Sequence, residues 1–124
     1  MSDTSIGLVL DCEDPARLAR FWAPALGLTE LGAAGNYVVL VDQQGRLPKL
    51  LLQQVAEPKA GKNRMHLDID HPDIEGEAAR LEALGARRIE GDGRLEHGTR
   101  WIVMADPEGN EFCVCDGGAG AAQA

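Results

Sequence analysis

The chain repeats itself once, and that repeat limits its folding more than any other feature. Asp11-Cys12-Glu13-Asp14-Pro15 is echoed by Asp68-Ile69-Asp70-His71-Pro72, and Ala25-Leu26-Gly27 by Ala83-Leu84-Gly85. In each copy an apolar run leads into a proline that suits a helix start, and the helix stops at a glycine. A module of about 55 to 60 residues is too small to close a hydrophobic core alone. The expected fold class is α+β: two tandem βαβββ modules forming one curved, cup-like mixed sheet, helices outside and a cleft within.

In the first module, residues 5–55, the run SIGLVLDC at 5–12 reads as a mostly buried strand. Asp14 and Pro15 supply an N-cap and a first-turn proline, and Leu18, Phe21, Trp22 and Leu26 fall on one stripe of the helix that follows. Pro24 is expected to kink or shorten the last turn, because an interior proline removes a backbone hydrogen bond. A weak strand at 28–31, a turn at Gly32-Ala33-Ala34-Gly35 and strands at 36–42 and 49–55 complete the module. The polar loop 56–63 is the natural boundary between halves. The second module, residues 64–116, repeats the order with a strand at 64–70, a helix at 74–84 behind His71-Pro72-Asp73, and a strand at 86–90. A polar turn region at 91–98, a strand at 99–105, a turn at 106–110 and a strand at 111–116 follow. Residues 1–116 are read as one domain, and the low-complexity tail 117–124 as disordered.

Charge narrows the partners. A formal net charge of −8, with no basic run interleaved with aromatics, argues against nucleic acid and anionic membranes, which are bound through clustered Lys and Arg. No apolar run approaches the roughly 20 residues needed to span a bilayer. Three cysteines, Cys12, Cys113 and Cys115, are too few and too odd in number for a disulfide framework. The N-terminus carries no signal-peptide pattern, so a cytoplasmic protein is expected.

The stretch KNRMHLDID at 62–70 carries the candidate chemistry. On a strand, His66, Asp68 and Asp70 share one face while Leu67 and Ile69 share the other. An imidazole and two carboxylates on one side are costly unless that side faces water or a ligand. Asp68 and Asp70 can orient the imidazole or attract a cation, and a solvated sheet face without function is the equal alternative. His66 can ligate a metal, act as a base near neutral pH, or line a cavity, and cavity lining is the preferred role. Cys113 and Cys115 stand two apart on a strand and share a face, where they could bind a soft metal together with His66, although the plainer reading is two small buried hydrophobes. Trp22 belongs to the helix stripe, whereas Trp101 lies on a strand beside Arg100 and the 91–98 stretch and is the favoured rim aromatic. His71 and His97 read as surface residues.

DCEDPARLARFW opening the first module, KNRMHLDID opening the second and ADPEGNEFCV closing it together resemble a glyoxalase-like domain of the vicinal oxygen chelate superfamily. That superfamily also holds glyoxalase I, bleomycin-resistance proteins and extradiol dioxygenases. In metal-dependent members the resemblance implies a divalent ion held from the first and last strands of each module. His66 stands at one such place, but the matching first-module place is Gly7 or Val9, which cannot ligate. Cys113 replaces the expected Glu of the last strand, and Gln53 or Gln54 is available from the first module. No cofactor is therefore expected; a divalent metal is possible, and His66, Gln53 and Cys113 would hold it. Such a set suits Zn²⁺ better than harder ions.

The function expected from these readings is binding of a small molecule, in the manner of the bleomycin-resistance proteins, in a cavity lined by His66, Asp68, Gln53, Trp101 and Cys113. The alternative is a lyase, isomerase or oxygenase using His66 as base or a degenerate metal site. A domain whose protein interface matters more than its cavity is the third. The resemblance also implies a homodimer.

Overall fold

The computed structural model describes residues 5–89, 94–96 and 99–116. His97, part of the 91–98 turn region and the 117–124 tail lie outside the described residues. The chain divides into two compact units, Met1–Lys59 and Ala60–Ala124, and the division falls inside the polar 56–63 loop.

The first unit contains β1 (Gly7–Cys12), α1 (Pro15–Leu26), β2 (Thr29–Ala34), β3 (Tyr37–Val41) and β4 (Lys49–Gln54). Its sheet has the order β1-β4-β3-β2, with β1 and β4 parallel and the other neighbours antiparallel. The Asp14 carboxylate caps α1 by accepting from the Arg17 amide at 3.1 Å, and Pro15 opens the first turn. Leu18, Ala19, Phe21, Trp22 and Ala25 are buried on one stripe. The sheet side of the core is Val38 and Leu40 of β3 with Leu50 and Leu52 of β4, paired Val38 to Leu52 and Leu40 to Leu50. Within the helix stripe the Phe21 and Trp22 rings meet edge to face, centroids 4.9 Å apart.

The helix is not shortened: it runs through Pro24 to Leu26 before Gly27 ends it at φ 68°. Pro24 and Arg20, four residues upstream, are both exposed, so water can serve the carbonyl that loses its partner. The stretch Gly32–Ala34 is strand, not turn: Gly32, Ala33 and Ala34 pair with Val39, Val38 and Tyr37, after a bulge between Glu30 and Gly32. The turn is Gly35-Asn36, with Gly35 at φ 59°. A weak strand former is drafted into the ladder because β3 supplies backbone partners, which local propensity does not register.

The second unit contains β5 (Asp68–Asp70), α2 (Ile74–Leu84), β6 (Arg87–Arg88), β7 (Arg94–Glu96), β8 (Thr99–Ala105) and β9 (Glu111–Cys115). The order is β5-β9-β8-β6, with β7 also on β8, and the first and last strands again pair in parallel. Strand β7 arises inside the expected turn region and makes this module one strand richer than βαβββ. Asp73 caps α2 by accepting from the Gly76 amide at 3.0 Å, and a Cβ at Gly76 would collide with that carboxylate, so glycine belongs there. The His71 Nδ1 accepts from the Asp73 amide at 3.0 Å, which gives His71 a structural task at the helix start. Ile74, Ala78 and Leu81 bury against Ile102, Met104, Phe112 and Val114.

The strand expected over 64–70 is shorter, beginning at Asp68. Upstream of Leu67, whose carbonyl still bonds to β9, Asn63 holds the chain through side-chain contacts. The Asn63 amide donates to Glu111 Oε1 at 3.0 Å, and Asn63 Nδ2 donates to the Glu111 carbonyl at 3.4 Å. Among the described residues, no helix is long and apolar enough to cross a membrane.

Candidate functional site in the second unit

The β-strand alternation divides the second sheet into two faces. Ile69, Val114 and Ile102 are register partners on the α2 side, and Phe112 and Met104 pair beside them. On the other side, Asp68, Cys113 and Val103 form one cross-strand row; Asp70, Cys115 and Trp101 form the next. Parallel pairing of β5 with β9 sets Asp68 opposite Cys113, and the Cys113 amide donates to the Leu67 carbonyl at 2.9 Å. Cys113 is thus fixed to the segment that carries His66.

His66 Nε2 lies 3.1 Å from Asp68 Oδ1, with the two side chains 41% and 54% exposed. Both groups therefore face a partner arriving from solvent. A neutral imidazole here offers one donor and one acceptor nitrogen, and a protonated one pairs with the Asp68 carboxylate. Cys113 and Trp101 are half-buried. Cys115 is buried, and its thiol is pushed up to about 12, first by burial and then by the negative charge of Asp68. It is a neutral packing group under ordinary conditions.

An imidazole nitrogen of His66, a carboxylate oxygen of Asp68 and the sulfur of Cys113 all lie within 4.8 Å of one another. This trio differs from the set implied by the resemblance, since Asp68 takes the place assigned to Gln53. Gln53 belongs to the first unit, half-buried on the sheet face away from α1, between Asp11 and Tyr37 in the register. The exposed Gln54 turns the other way, donating from Nε2 to the Glu13 carbonyl at 3.1 Å. Nitrogen, oxygen and sulfur donors together fit a borderline-soft ion such as Zn²⁺ and fit Mg²⁺ or Ca²⁺ poorly. Alternation in the sequence already put Asp68 on the His66 face. Cys113 was placed beside His66 only by the resemblance, and its pairing with Asp68 comes from cross-strand register.

A family model described as a glyoxalase-like domain matches residues 7–115. No curated protein matches the chain. Among solved structures, a glyoxalase/bleomycin resistance protein/dioxygenase family enzyme from Burkholderia phytofirmans is 16% identical at TM-score 0.71, covering 87% of this chain and 94% of that one. A glyoxalase/bleomycin resistance protein/dioxygenase from Nocardioides is 20% identical at TM-score 0.71, covering 93% and 84%. The fosfomycin resistance protein FosX from Mesorhizobium loti is 19% identical at TM-score 0.70, with 100% of both chains covered. At these identities the likeness is one of fold.

Proposed function

Since this chain belongs to the glyoxalase-like domain family, we propose that it binds a small organic molecule on the open face of its second sheet, where His66, Asp68, Trp101 and Cys113 lie. The observation that carries the reading is the exposed His66–Asp68 pair at 3.1 Å. Asp68 orients the imidazole, leaving its other ring nitrogen to a group on the bound molecule. The half-buried indole of Trp101 offers an apolar surface two residues along β8 from Val103, which pairs with Cys113. With a net charge of −8, neutral and cationic molecules are favoured over anions. A cytoplasmic homodimer completes the reading, and sedimentation velocity tests the assembly.

A second reading, an enzyme of the lyase, isomerase or oxygenase kind, is favoured by the clustering of three potential ligands in one place. There His66 serves either as the proton acceptor or as one ligand of an ion held by the trio, which would supply Lewis acidity toward an oxygen of the bound molecule. Thermal-shift screening of neutral and cationic organic molecules, with chelator present, tests the first reading. A ligand at about one hundred times its Kd adds about 2.7 kcal/mol to stability, or roughly 10 °C in Tm for a domain of this size. His66→Ala and Trp101→Ala are expected to abolish the shift. Hits that stabilise both variants as well as the parent place the ligand elsewhere and defeat the reading.

A further inference from the structure

The first sheet has an open face of its own, and its charges stand at opposite ends. Alternation along β1 puts Gly7, Val9 and Asp11 on the side away from α1, since Cys12 is buried on the other. The register carries this face across the sheet: Gly7 pairs with Lys49, Val9 with Leu51 and then Val39, and Asp11 with Gln53 and then Tyr37. Val9 is 56% exposed, and Leu51 and Val39 are half-buried, so an apolar strip separates Lys49 at one end from Asp11 at the other. The two ends lie about 13 Å apart along the strands. Among the described residues, neither Lys49 nor Asp11 has an ion-pair partner. A Cβ on Gly7 would stand 3.0 Å from Lys49 Cε and 3.2 Å from its Cγ, so the lysine stem lies sideways across β1 in the space that the glycine leaves. A glycine inside a strand often marks the close approach of another group, and here the group is the Lys49 stem. Its methylenes extend the apolar strip and bring the ammonium to the β1 side of the sheet.

We propose that this face binds an elongated organic carboxylate. The carboxylate pairs with the Lys49 ammonium, an apolar body of about eight carbons crosses Val9 and Leu51, and a hydroxyl or amine at the far end donates to Asp11 or to the Gln53 side-chain oxygen. The unlike ends fix the orientation, because reversal sets carboxylate against carboxylate. The net charge of −8 does not forbid an anion here, since charges more than about 10 Å away are largely screened at about 0.1 M salt, and Asp11 lies beyond that distance. A second copy of the chain is the less favoured occupant. The four strands, at about 4.8 Å spacing and about 20 Å length, present roughly 400 Å², about half of what each partner of a stable dimer buries. The inference rests on the first unit alone and is independent of the reading of the second sheet.

The test titrates 8-hydroxyoctanoate into full-length protein at low ionic strength and measures the heat of binding. One equivalent is expected to bind, and its affinity to fall as salt is added. 1,8-Octanediol, which keeps the chain but lacks the carboxylate, is expected to bind about fivefold more weakly. Lys49→Gln is expected to lose the same factor, whereas Lys49→Arg keeps the affinity and Lys62→Gln, which removes a like charge elsewhere, binds as the parent does. Gly7→Val leaves every charge in place but fills the space under the lysine stem, and is expected to weaken binding several-fold without lowering Tm. Absence of saturable binding in the parent, equal affinity for the diol, or binding untouched by Lys49→Gln overturns the proposal. So does a dimer, seen by sedimentation velocity, that Lys49→Gln dissociates, because the face then belongs to a second copy.

Discussion

Asp106→Ala is expected to be among the most damaging single changes outside the hydrophobic core. Asp106 is 2% exposed and lies in the turn joining β8 to β9. Its Oδ1 accepts from the Glu108 amide at 2.9 Å, the Asn110 amide at 2.9 Å and Asn110 Nδ2 at 3.2 Å, while Oδ2 accepts from the same Nδ2 at 3.0 Å. Asn110 is itself 7% exposed. Removing the carboxylate leaves two buried donors, the Asn110 amide and its side-chain amide, without these partners. The Glu108 amide, in a half-buried residue, can turn to water. An unsatisfied buried donor costs about 1–3 kcal/mol, so the loss is about 3 kcal/mol if Asn110 partly relaxes. At about 4 °C per kcal/mol for a domain of this size, Tm falls by roughly 12 °C. Urea unfolding of the parent, Asp106→Ala, Asn110→Ala and the double variant measures the loss and its coupling. The double variant is expected to cost clearly less than the sum of the singles, because each residue's penalty is largely the orphaning of the other. A loss below about 1 kcal/mol, or additive single effects, would refute the reasoning.

Two further changes probe the same unit. Arg80 donates to Glu77 from Nε at 2.8 Å and Nη2 at 2.7 Å, and these hydrogen bonds hold the Glu77 carboxyl below its ordinary value of 4.5. A carboxyl lowered on folding stabilises the protein above its unfolded pKa and loses that contribution as pH falls through the folded one. Glu77→Gln is therefore expected to cost about 1 kcal/mol or less at neutral pH, the Arg80 side being 44% exposed, and the difference should shrink in urea unfolding as pH falls below 4.5. A gap that persists in acid assigns the cost to packing. At Gly109, φ is 88° and no atom lies within 4 Å of an added Cβ, so Gly109→Ala carries a backbone penalty alone, about 1–2 kcal/mol, with Asn recovering part of it. Equal stability of Gly109→Ala and parent in thermal unfolding would count against a left-handed residue there.

The family assignment was legible before any coordinates because its signals are local and repeated. Asp14 and Asp73 cap their helices, Gly27 and Gly85 end them, and Gly109 turns the β8–β9 hairpin, each through contacts within five residues. Less of the candidate site could be read. His66 and Asp68 were recognised as neighbours on one face, while the burial of Glu77 beneath Arg80 carried no sequence signal.

Helix starts, helix stops and the sidedness of strands follow from steric and hydrogen-bonding rules that act over a few residues, and the sequence determined these. The tertiary structure decided which residues stand across from one another. It shortened β5 to Asp68–Asp70, extended β2 through Gly32, added β7 and set Cys113 against Asp68. A period of two says which face a side chain takes but not its cross-strand partner. That choice belongs to the pairing of segments far apart in the chain, where a slip of one residue would move Cys113 to the helix-covered face.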